Sequence, residues 1–423
     1  MAARVAACAL LLAGLRGAAA AAGAAAAGAG GGVRFGALFA VHAAPADARA
    51  GARCGPVREH YGIQRVEATL QALDALCGNG GMLVRAGLRL RAELRDSCWA
   101  PPTALRQTIE LVRDAIAPPP PPAAAQHQPA TAASTCRSAG GGARGAAAEP
   151  LLAVLGPGAS AAAVQVQNLL QLFSIPQVSY SATSRELSDR ARFSTFFRVV
   201  PSDRHQARLL VALLRAHNWT YVHAVHTDES YGQSGMAAFR EEAARGGVCV
   251  AREEGLRAAP GAREVDAALA RLAGAAPARL AGAAPAPTVC VCWCEGRTAR
   301  ALLAGLARAG LRLRLVASDG WADRRDVVAG LERPAAGALT LRIRSPYLRH
   351  FDTHYHALHP HNNTRNPWFR EFWEQKFNCS LEDQPAVGVR QCTGSESLAT
   401  GYTQEPKLAL VVRGVYALAH ALR

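Results

Sequence analysis

The sequence lacks the motifs that are typical of several enzyme classes. It contains no His-Glu-x-x-His and no P-loop, and Gly232-Gln233-Ser234-Gly235 is one residue short of a nucleophile elbow. Metalloprotease, P-loop nucleotide and serine hydrolase chemistry are therefore not indicated. We predict no catalytic residue, no cofactor and no metal, and a secreted α/β enzyme stays only an alternative.

Long apolar runs are also missing. After residue 22 no stretch of about eighteen uncharged apolar residues, the length of a membrane span, occurs. Residues 1–22 combine Arg4, a short apolar segment and a run of alanines, which is typical of a secretory signal peptide. We expect a signal peptide at residues 1–22 and a secreted or lumenal chain.

Acidic residues are in deficit. The chain has 32 Asp and Glu against 47 Lys and Arg, a formal net charge of +15. The arginines are scattered singly, and no dense basic run with interleaved aromatics appears, so the charge indicates solvated surface and no nucleic-acid binding. Residues 117–150 are Pro, Ala and Gly with almost no large apolar side chain, which predicts a disordered loop. Its lone cysteine, Cys136, suggests an intermolecular disulfide.

The polar groups of interest follow two neighbouring predicted strands. Leu151–Leu155 is followed by Gly156-Pro157-Gly158-Ala159-Ser160, and a strand ending at Tyr180 is followed by Ser181-Ala182-Thr183-Ser184. Strand ends of this kind line the ligand crevice of a parallel sheet, and helix N-termini with hydroxyls suit a carboxylate or phosphate. The same residues could be only turn formers and N-caps. A dinucleotide site is disfavoured, because Tyr180 and Ser181 stand where an acidic residue is needed.

Four segments together carry a resemblance to a known family. They are Gly156-Pro157-Gly158, Gln165-Val166-Gln167-Asn168-Leu169-Leu170, Tyr180-Ser181-Ala182-Thr183-Ser184 and Arg198-Val199-Val200-Pro201-Ser202-Asp203. The chain from about Phe35 onward resembles the extracellular glutamate-binding domain of metabotropic glutamate receptors, which are class C G-protein-coupled receptors. The similarity is closest to group I, types 1 and 5.

Strand–helix alternation on both sides of Asp203 predicts two α/β lobes with parallel sheets. The resemblance implies a bilobed, periplasmic-binding-protein-like (type I) clamshell, in which each lobe is a mostly parallel sheet flanked by helices. We expect lobe 1 at residues 33–198 and 345–423, including the loop 117–150, and lobe 2 at residues 199–344. A full receptor would continue into the rest of this domain, a cysteine-rich module and seven membrane helices.

The resemblance also implies a ligand and its contacts. Glutamate would bind between the lobes, close them and trigger a heterotrimeric G protein through the membrane domain; another amino acid as ligand stays open. Hydroxyls and N–H groups of Ser160, Ser181 and Thr183 can hold the α-carboxylate, while Asp203, Asp319 and Tyr231 can hold the ammonium group. Tyr61, Arg65, Arg324 and Lys407 would form a basic end that selects an acidic side chain, and Glu295 and Gly296 complete the set. Relatives carry a serine at Ala159.

Ten cysteines remain beyond the signal, which fits an oxidising compartment. We expect bridges Cys54–Cys98 and Cys379–Cys392, with Cys77, Cys249 and Cys290 as buried free thiols. Cys290, Cys292 and Cys294 point one way along a strand, without the second ligand pair of a zinc finger. The resemblance implies a local Cys292–Cys294 bridge.

Surface features complete the expectations. The predicted apolar patch, which the family uses for its homodimer, comprises Leu105, Ile109, Leu169, Leu172 and Phe173. Asn218, Asn362 and Asn378 begin glycosylation sequons. The histidines between His354 and His361 are read as a solvent loop, with a metal site as the alternative.

Overall fold

A computed structural model describes residues 32–45, 53–116, 149–274, 288–322, 324–383 and 388–423. These residues form two compact units. The first contains the described residues up to Ala182, with Phe193–Val200 and those from Ser345 onward; the second contains Thr183–Arg192 and the described residues between Pro201 and Arg344. The predicted signal peptide, residues 117–148 and Cys136 lie outside the described residues.

The strands are β1 Gly32–Phe39, β2 Arg89–Asp96, β3 Leu151–Leu155, β4 Gln177–Ser179, β5 Phe196–Arg198, β6 Tyr221–Thr227, β7 Cys249–Leu256, β8 Val289–Trp293, β9 Arg314–Ala317 and β10 Leu339–Thr340. The longer helices are α1 Arg65–Cys77, α2 Pro101–Ile116, α3 Ser160–Leu170, α4 Asp203–Ala216, α5 Ser230–Gly246, α6 Ala262–Gly274, α7 Gly296–Ala309, α8 Arg349–His356, α9 Phe369–Phe377 and α10 Leu408–Leu422.

Short helical turns lie between them, among them a π-helix at Glu59–Gln64, 3-10 turns at Gln171–Phe173 and Arg185–Ser188, and α-turns at Met82–Arg85, Arg325–Val328 and Glu332–Ala335. The described residues contain no helix with both the length and the hydropathy that a membrane crossing needs.

The first unit is built on a five-stranded parallel sheet of order β2-β1-β3-β4-β5. Every residue of β1 is buried, as expected for a strand covered on both faces by helices. Its core combines strand residues such as Phe35 and Phe39 with Val411 and Val415 of α10. In this doubly wound topology the strand order reverses between β1 and β3, where open α/β sheets bind their ligands.

The second unit repeats that topology. Its five parallel strands have the order β10-β9-β8-β6-β7, so the reversal falls between β6 and β8. Every residue of β8 is buried, and α6 and α7 cover the sheet through Val265, Leu269 and Leu302. The carboxyl ends of β6 and β8 therefore present Tyr231 and Glu295 at the edge where a ligand is expected. The two-unit, parallel-sheet α/β fold predicted from the sequence is confirmed.

Two segments depart from the expected lobes. Val199 and Val200 were expected in lobe 2 but belong to the first unit. Thr183–Arg192 was expected in lobe 1 but belongs to the second unit. Glu186 explains this, because its backbone N–H donates to Ser234 Oγ over 3.2 Å and its carboxylate accepts from Ser230 Oγ over 3.2 Å. Arg185 adds an ion pair with Glu241 on the same helix, α5.

The cysteines correct three expectations. Both Cys54–Cys98 and Cys379–Cys392 are bridged, as predicted. Cys292 and Cys294, in contrast, are free buried thiols. The local bridge that the resemblance implies is therefore absent between these two residues.

Of the three cysteines predicted as buried free thiols, only Cys290 is both free and buried. Cys77 is disulfide-bonded, so its prediction as a free thiol is wrong. Cys290 is free and buried, whereas Cys249 is free but exposed because it opens β7 at the end of the strand.

The predicted apolar patch is partly exposed in the first unit. Leu172 is 75% exposed, and Ile109 and Phe173 are also exposed, while Leu105 and Leu169 are half-buried. The sequon residues Asn218, Asn362 and Asn378 are exposed as well, as an acceptor must be. The Asn362 amide also spans a turn, because its Nδ2 donates to Ala357 O and its Oδ1 accepts from His359 N.

Candidate functional site

The first unit collects polar groups where β3 and β4 end. Gly156 adopts φ +90°, and a Cβ there would lie 2.5 Å from the Leu38 carbonyl oxygen, so only glycine fits this turn. The turn leads into α3, whose first residue, Ser160, is buried. On the neighbouring strand, Ser179 Oγ accepts from the backbone N–H of Ser181 over 3.3 Å. The predicted residues Ser160 and Ser181 thus follow two adjacent strand ends.

A basic and aromatic cluster borders the same turn. The Arg65 guanidinium carbon lies 4.9 Å from the ring centroid of Tyr61 and 5.1 Å from that of Tyr180. A Cβ at Gly158 would lie 3.4 Å from Arg65 Nη1, so the guanidinium approaches the turn after β3. Burial raises the pKa of Tyr180 to about 12, although the Arg65 charge partly offsets it. The structure therefore brings Tyr61 and Arg65 together, as the sequence predicted.

Arg65 is not free, however. Its Nη2 donates to Glu405 Oε1 over 2.7 Å, and the two side chains are 0% and 1% exposed. Burial alone would lower the pKa of Arg65, but the Glu405 carboxylate and the two tyrosines raise it overall. Glu405 also accepts from the backbone N–H of Lys407 over 3.0 Å at the start of α10. Lys407 is thus held beside Arg65 through a carboxylate that the sequence analysis did not single out.

The second unit joins two buried carboxylates through one amide. Asp203 opens α4 and Asp319 follows β9; they are 0% and 4% exposed. Gln206 Nε2 lies 2.9 Å from Asp203 Oδ1 and 2.8 Å from Asp319 Oδ1. The backbone N–H of Asp203 donates to the Thr183 carbonyl over 2.9 Å, so Thr183 lies at the same helix start.

Tyr231 lies against this pair. Its hydroxyl is 2.8 Å from both Ser318 Oγ and Asp319 Oδ1, and it accepts from the Gly320 N–H over 3.0 Å. Burial, and then the charges of Asp319 and Asp203, raise the pKa of Tyr231 well above its ordinary value, so the phenol keeps its proton. The hydroxyl therefore serves as a donor to a carboxylate.

Arg324 lies against Gly296, the first residue of α7. A Cβ at Gly296 would fall 2.1 Å from Arg324 Nη1, and Arg324 also donates to the Gly320 carbonyl over 3.3 Å. The N–H of Glu295 donates to Thr227 Oγ1 over 2.8 Å, which joins the ends of β6 and β8. Glu295, Gly296 and Arg324 thus belong to one group of residues.

A methyl group at position 296 should displace the Arg324 guanidinium. Because Arg324 is predicted from the sequence to contact an acidic ligand, we expect Gly296→Ala to weaken binding of such a ligand about tenfold or more, since one charge-assisted hydrogen bond is worth roughly 1.5–3 kcal/mol. Titration calorimetry measures this effect. The matched control is Gly261→Ala, where nothing lies within 4 Å of the added methyl. Unchanged affinity in Gly296→Ala would exclude Arg324 from the contact.

Glu229, two residues before Tyr231, carries less than a full negative charge. Burial, followed by the nearby Glu295 carboxylate, raises the pKa of Glu229 to about 7. Glu229 precedes α5 directly and was not singled out from the sequence. Near neutral pH its carboxyl is partly protonated, so the loop after β6 is only partly anionic.

In each unit some of the predicted residues follow parallel strands: Ser160 and Ser181 follow β3 and β4, and Tyr231, Glu295 and Asp319 follow β6, β8 and β9. Sequence reasoning missed Gln206, Ser318 and Glu405. Gln206 was detectable, because it stands three residues after Asp203 on one helix face, whereas Glu405 lies 340 residues from its partner. A family model described as the receptor family ligand binding region matches residues 64–423. Its members have the periplasmic-binding-protein-like architecture found here, and this chain belongs to that receptor ligand-binding family.

Proposed function

We propose that this chain is the extracellular glutamate-binding domain of a metabotropic glutamate receptor of the group I type. The observation that carries the proposal is the joined group of Asp203, Asp319 and Tyr231 in the second unit. Two buried carboxylates with a phenol beside them suit an α-ammonium group, which needs charged acceptors and an aromatic face. The family match supports a receptor that binds a small ligand.

The remaining predicted residues suit the two carboxylates of the ligand. The hydroxyls of Ser160, Ser181 and Thr183, with the N-terminus of α3, suit the α-carboxylate. A second carboxylate on the side chain suits three cations and a phenol, which are Arg65, Arg324, Lys407 and Tyr61. Glu295 and Gly296 stand beside Arg324 and complete the set.

Closure follows from where these groups reside. Ser160, Ser181 and Arg65 belong to the first unit, whereas Asp203, Tyr231 and Asp319 belong to the second. A ligand that contacts both sets binds best to the form in which both are within reach, so it shifts the population towards that form. In the full receptor this shift would signal to a heterotrimeric G protein from the cell surface. Homodimerisation through the apolar patch of the first unit belongs to the same proposal.

The test is calorimetry on the secreted chain with L-glutamate and L-glutamine. We expect glutamate to bind at least tenfold more tightly, because only glutamate offers a second charge to the basic residues. Circular dichroism establishes that the protein is folded. No binding of glutamate by the folded protein would refute the proposal.

A second candidate is a class C receptor domain for an amino acid with an uncharged side chain. The ion pair Arg65–Glu405 favours it, because a guanidinium that already neutralises a carboxylate attracts a second one less strongly. Glutamine binding as tightly as glutamate in the same titration would select this candidate.

A further inference from the structure

We propose that Gln206 is a positioning residue for the amine end of the ligand: its side-chain amide holds Asp203 and Asp319 in the arrangement that accepts an ammonium group. This inference rests on the proposed amino-acid binding. Gln206 lies on α4, is 6% exposed and is not one of the residues expected to touch the ligand.

The orientation of the amide follows from its partners. The backbone N–H of Asp319 can only donate, and it lies 3.1 Å from Gln206 Oε1. The NH2 group must therefore face the other way. It has two N–H bonds, and two carboxylate oxygens lie within 2.9 Å of its nitrogen, Oδ1 of Asp203 and Oδ1 of Asp319. One side chain thus satisfies three polar groups of the two aspartates.

This arrangement solves an electrostatic problem. The two buried carboxylates share one donor nitrogen and repel each other. Burial reduces the screening that water would otherwise provide. Hydrogen bonds to the charged form keep a carboxylate ionised, whereas loss of those bonds raises its pKa. A protonated Asp203 or Asp319 would carry an O–H donor where the ligand's ammonium group needs an acceptor.

Gln206 also sets the direction of the second carboxylate. Asp319 Oδ1 receives both the Gln206 amide and the Tyr231 hydroxyl, and the Asp319 backbone is tied to the same amide. Without Gln206, Asp319 Oδ1 would lose one of its two donors and the Asp319 backbone N–H would lose its acceptor. The role of Gln206 is therefore to orient the Asp203 and Asp319 carboxylates and to favour their ionised form. No direct contact between Gln206 and the ligand is required.

A purely structural role is the competing explanation, because Gln206 also joins α4 to the loop after β9. The two roles differ in which ligand they affect. L-Glutamate carries the ammonium group, whereas glutarate has the same two carboxylates and no ammonium group. A positioning residue for the amine end affects only glutamate, while a collapsed site loses both ligands.

The experiment compares Gln206→Met with the unaltered full chain by displacement calorimetry with both ligands. Methionine has a similar length and no donor. We expect glutamate binding to weaken about 10- to 100-fold, the value of a hydrogen bond to a charged group. Glutarate binding should stay unchanged. Gln233→Met is the matched control, because Gln233 donates to Asp228 over 2.7 Å at an exposed position of the same unit, and neither ligand should respond.

Two outcomes overturn the assignment: an equal loss for both ligands, or no loss for either. If Gln206→Met does not fold, Gln206→Asn keeps the amide but withdraws it by one methylene, and the same selective loss of glutamate is expected. Failure of the unaltered chain to bind glutamate would refute the proposed function, and the role of Gln206 with it. A chain that binds glutamate but shows no selective effect refutes the role of Gln206 alone.

Discussion

Replacing Arg65 with methionine should lower the free energy of unfolding by about 3–5 kcal/mol, because it leaves the buried Glu405 carboxylate without its counter-ion. The Glu405 side chain is 1% exposed, so water cannot solvate the carboxylate in place of the guanidinium. Urea unfolding followed by circular dichroism measures the loss. This effect should exceed that of any surface ion pair in the molecule.

Adding Glu405→Leu to Arg65→Met separates the contribution of the ion pair to stability from that of side-chain packing. The double variant Arg65→Met with Glu405→Leu should recover most of the stability, since apolar residues of similar volume often replace a buried pair without loss. Recovery should stop roughly 1 kcal/mol short, because Glu405 also accepts the Lys407 N–H at the start of α10.

The control is Arg308→Met. Arg308 pairs with Asp266 at the same 2.7 Å, but the side chains are 45% and 50% exposed, so the cost should be about 0–1 kcal/mol. A loss at Arg65 no larger than at Arg308 would contradict the assigned burial of the pair. Glutamate and glutamine titrations of the folded double variant then ask whether Arg65 also reads the side-chain carboxylate. If it does, glutamate loses more affinity than glutamine.

Asp319→Asn should produce the second large effect, a loss of glutamate affinity without a loss of stability. Glutamate affinity should fall by about 2–5 kcal/mol, since the ammonium group loses a charged, desolvated acceptor. Stability of the ligand-free protein should hold or rise, because the substitution relieves repulsion between Asp319 and the buried Asp203. Calorimetry gives the first quantity and thermal unfolding gives the second.

Asp266→Asn provides the matched control, since that aspartate is half exposed and pairs with Arg308 on the surface. It should change neither glutamate binding nor, by more than about 1 kcal/mol, stability. Loss of stability in Asp319→Asn together with unchanged glutamate affinity would remove Asp319 from the site and make it a purely structural residue.

The sequence predicted the fold because strand length and helix period recur on both sides of Asp203. It also placed Ser160, Tyr231 and Asp319 near strand ends, since each lies within five residues of the end of a strand. Pairings across long stretches of chain were not predictable in the same way. Arg65 and Glu405 are 340 residues apart in the chain and Gln206 and Asp319 are 113 apart, and no local pattern marks either pair.

The cysteine errors have a similar origin. The resemblance implied a bridge between Cys292 and Cys294, but both are free, buried thiols. Cys77, predicted as a free thiol, is disulfide-bonded. Likewise, Thr183–Arg192 was assigned to the first lobe by its position in the chain, whereas Glu186 and Arg185 bond to α5.

The distribution of sulfur gives the two units different chemical sensitivities. Among the described residues, the cysteines of the first unit are Cys54, Cys77, Cys98, Cys379 and Cys392, and all are oxidised, whereas those of the second are thiols. A mild reductant should therefore loosen the first unit and leave the second intact. A thiol-alkylating reagent should in turn reach Cys290 only when β8 opens, because burial also raises the pKa of that thiol. The labelling rate at Cys290, compared with that at the exposed Cys249, would measure local opening of the second unit alone.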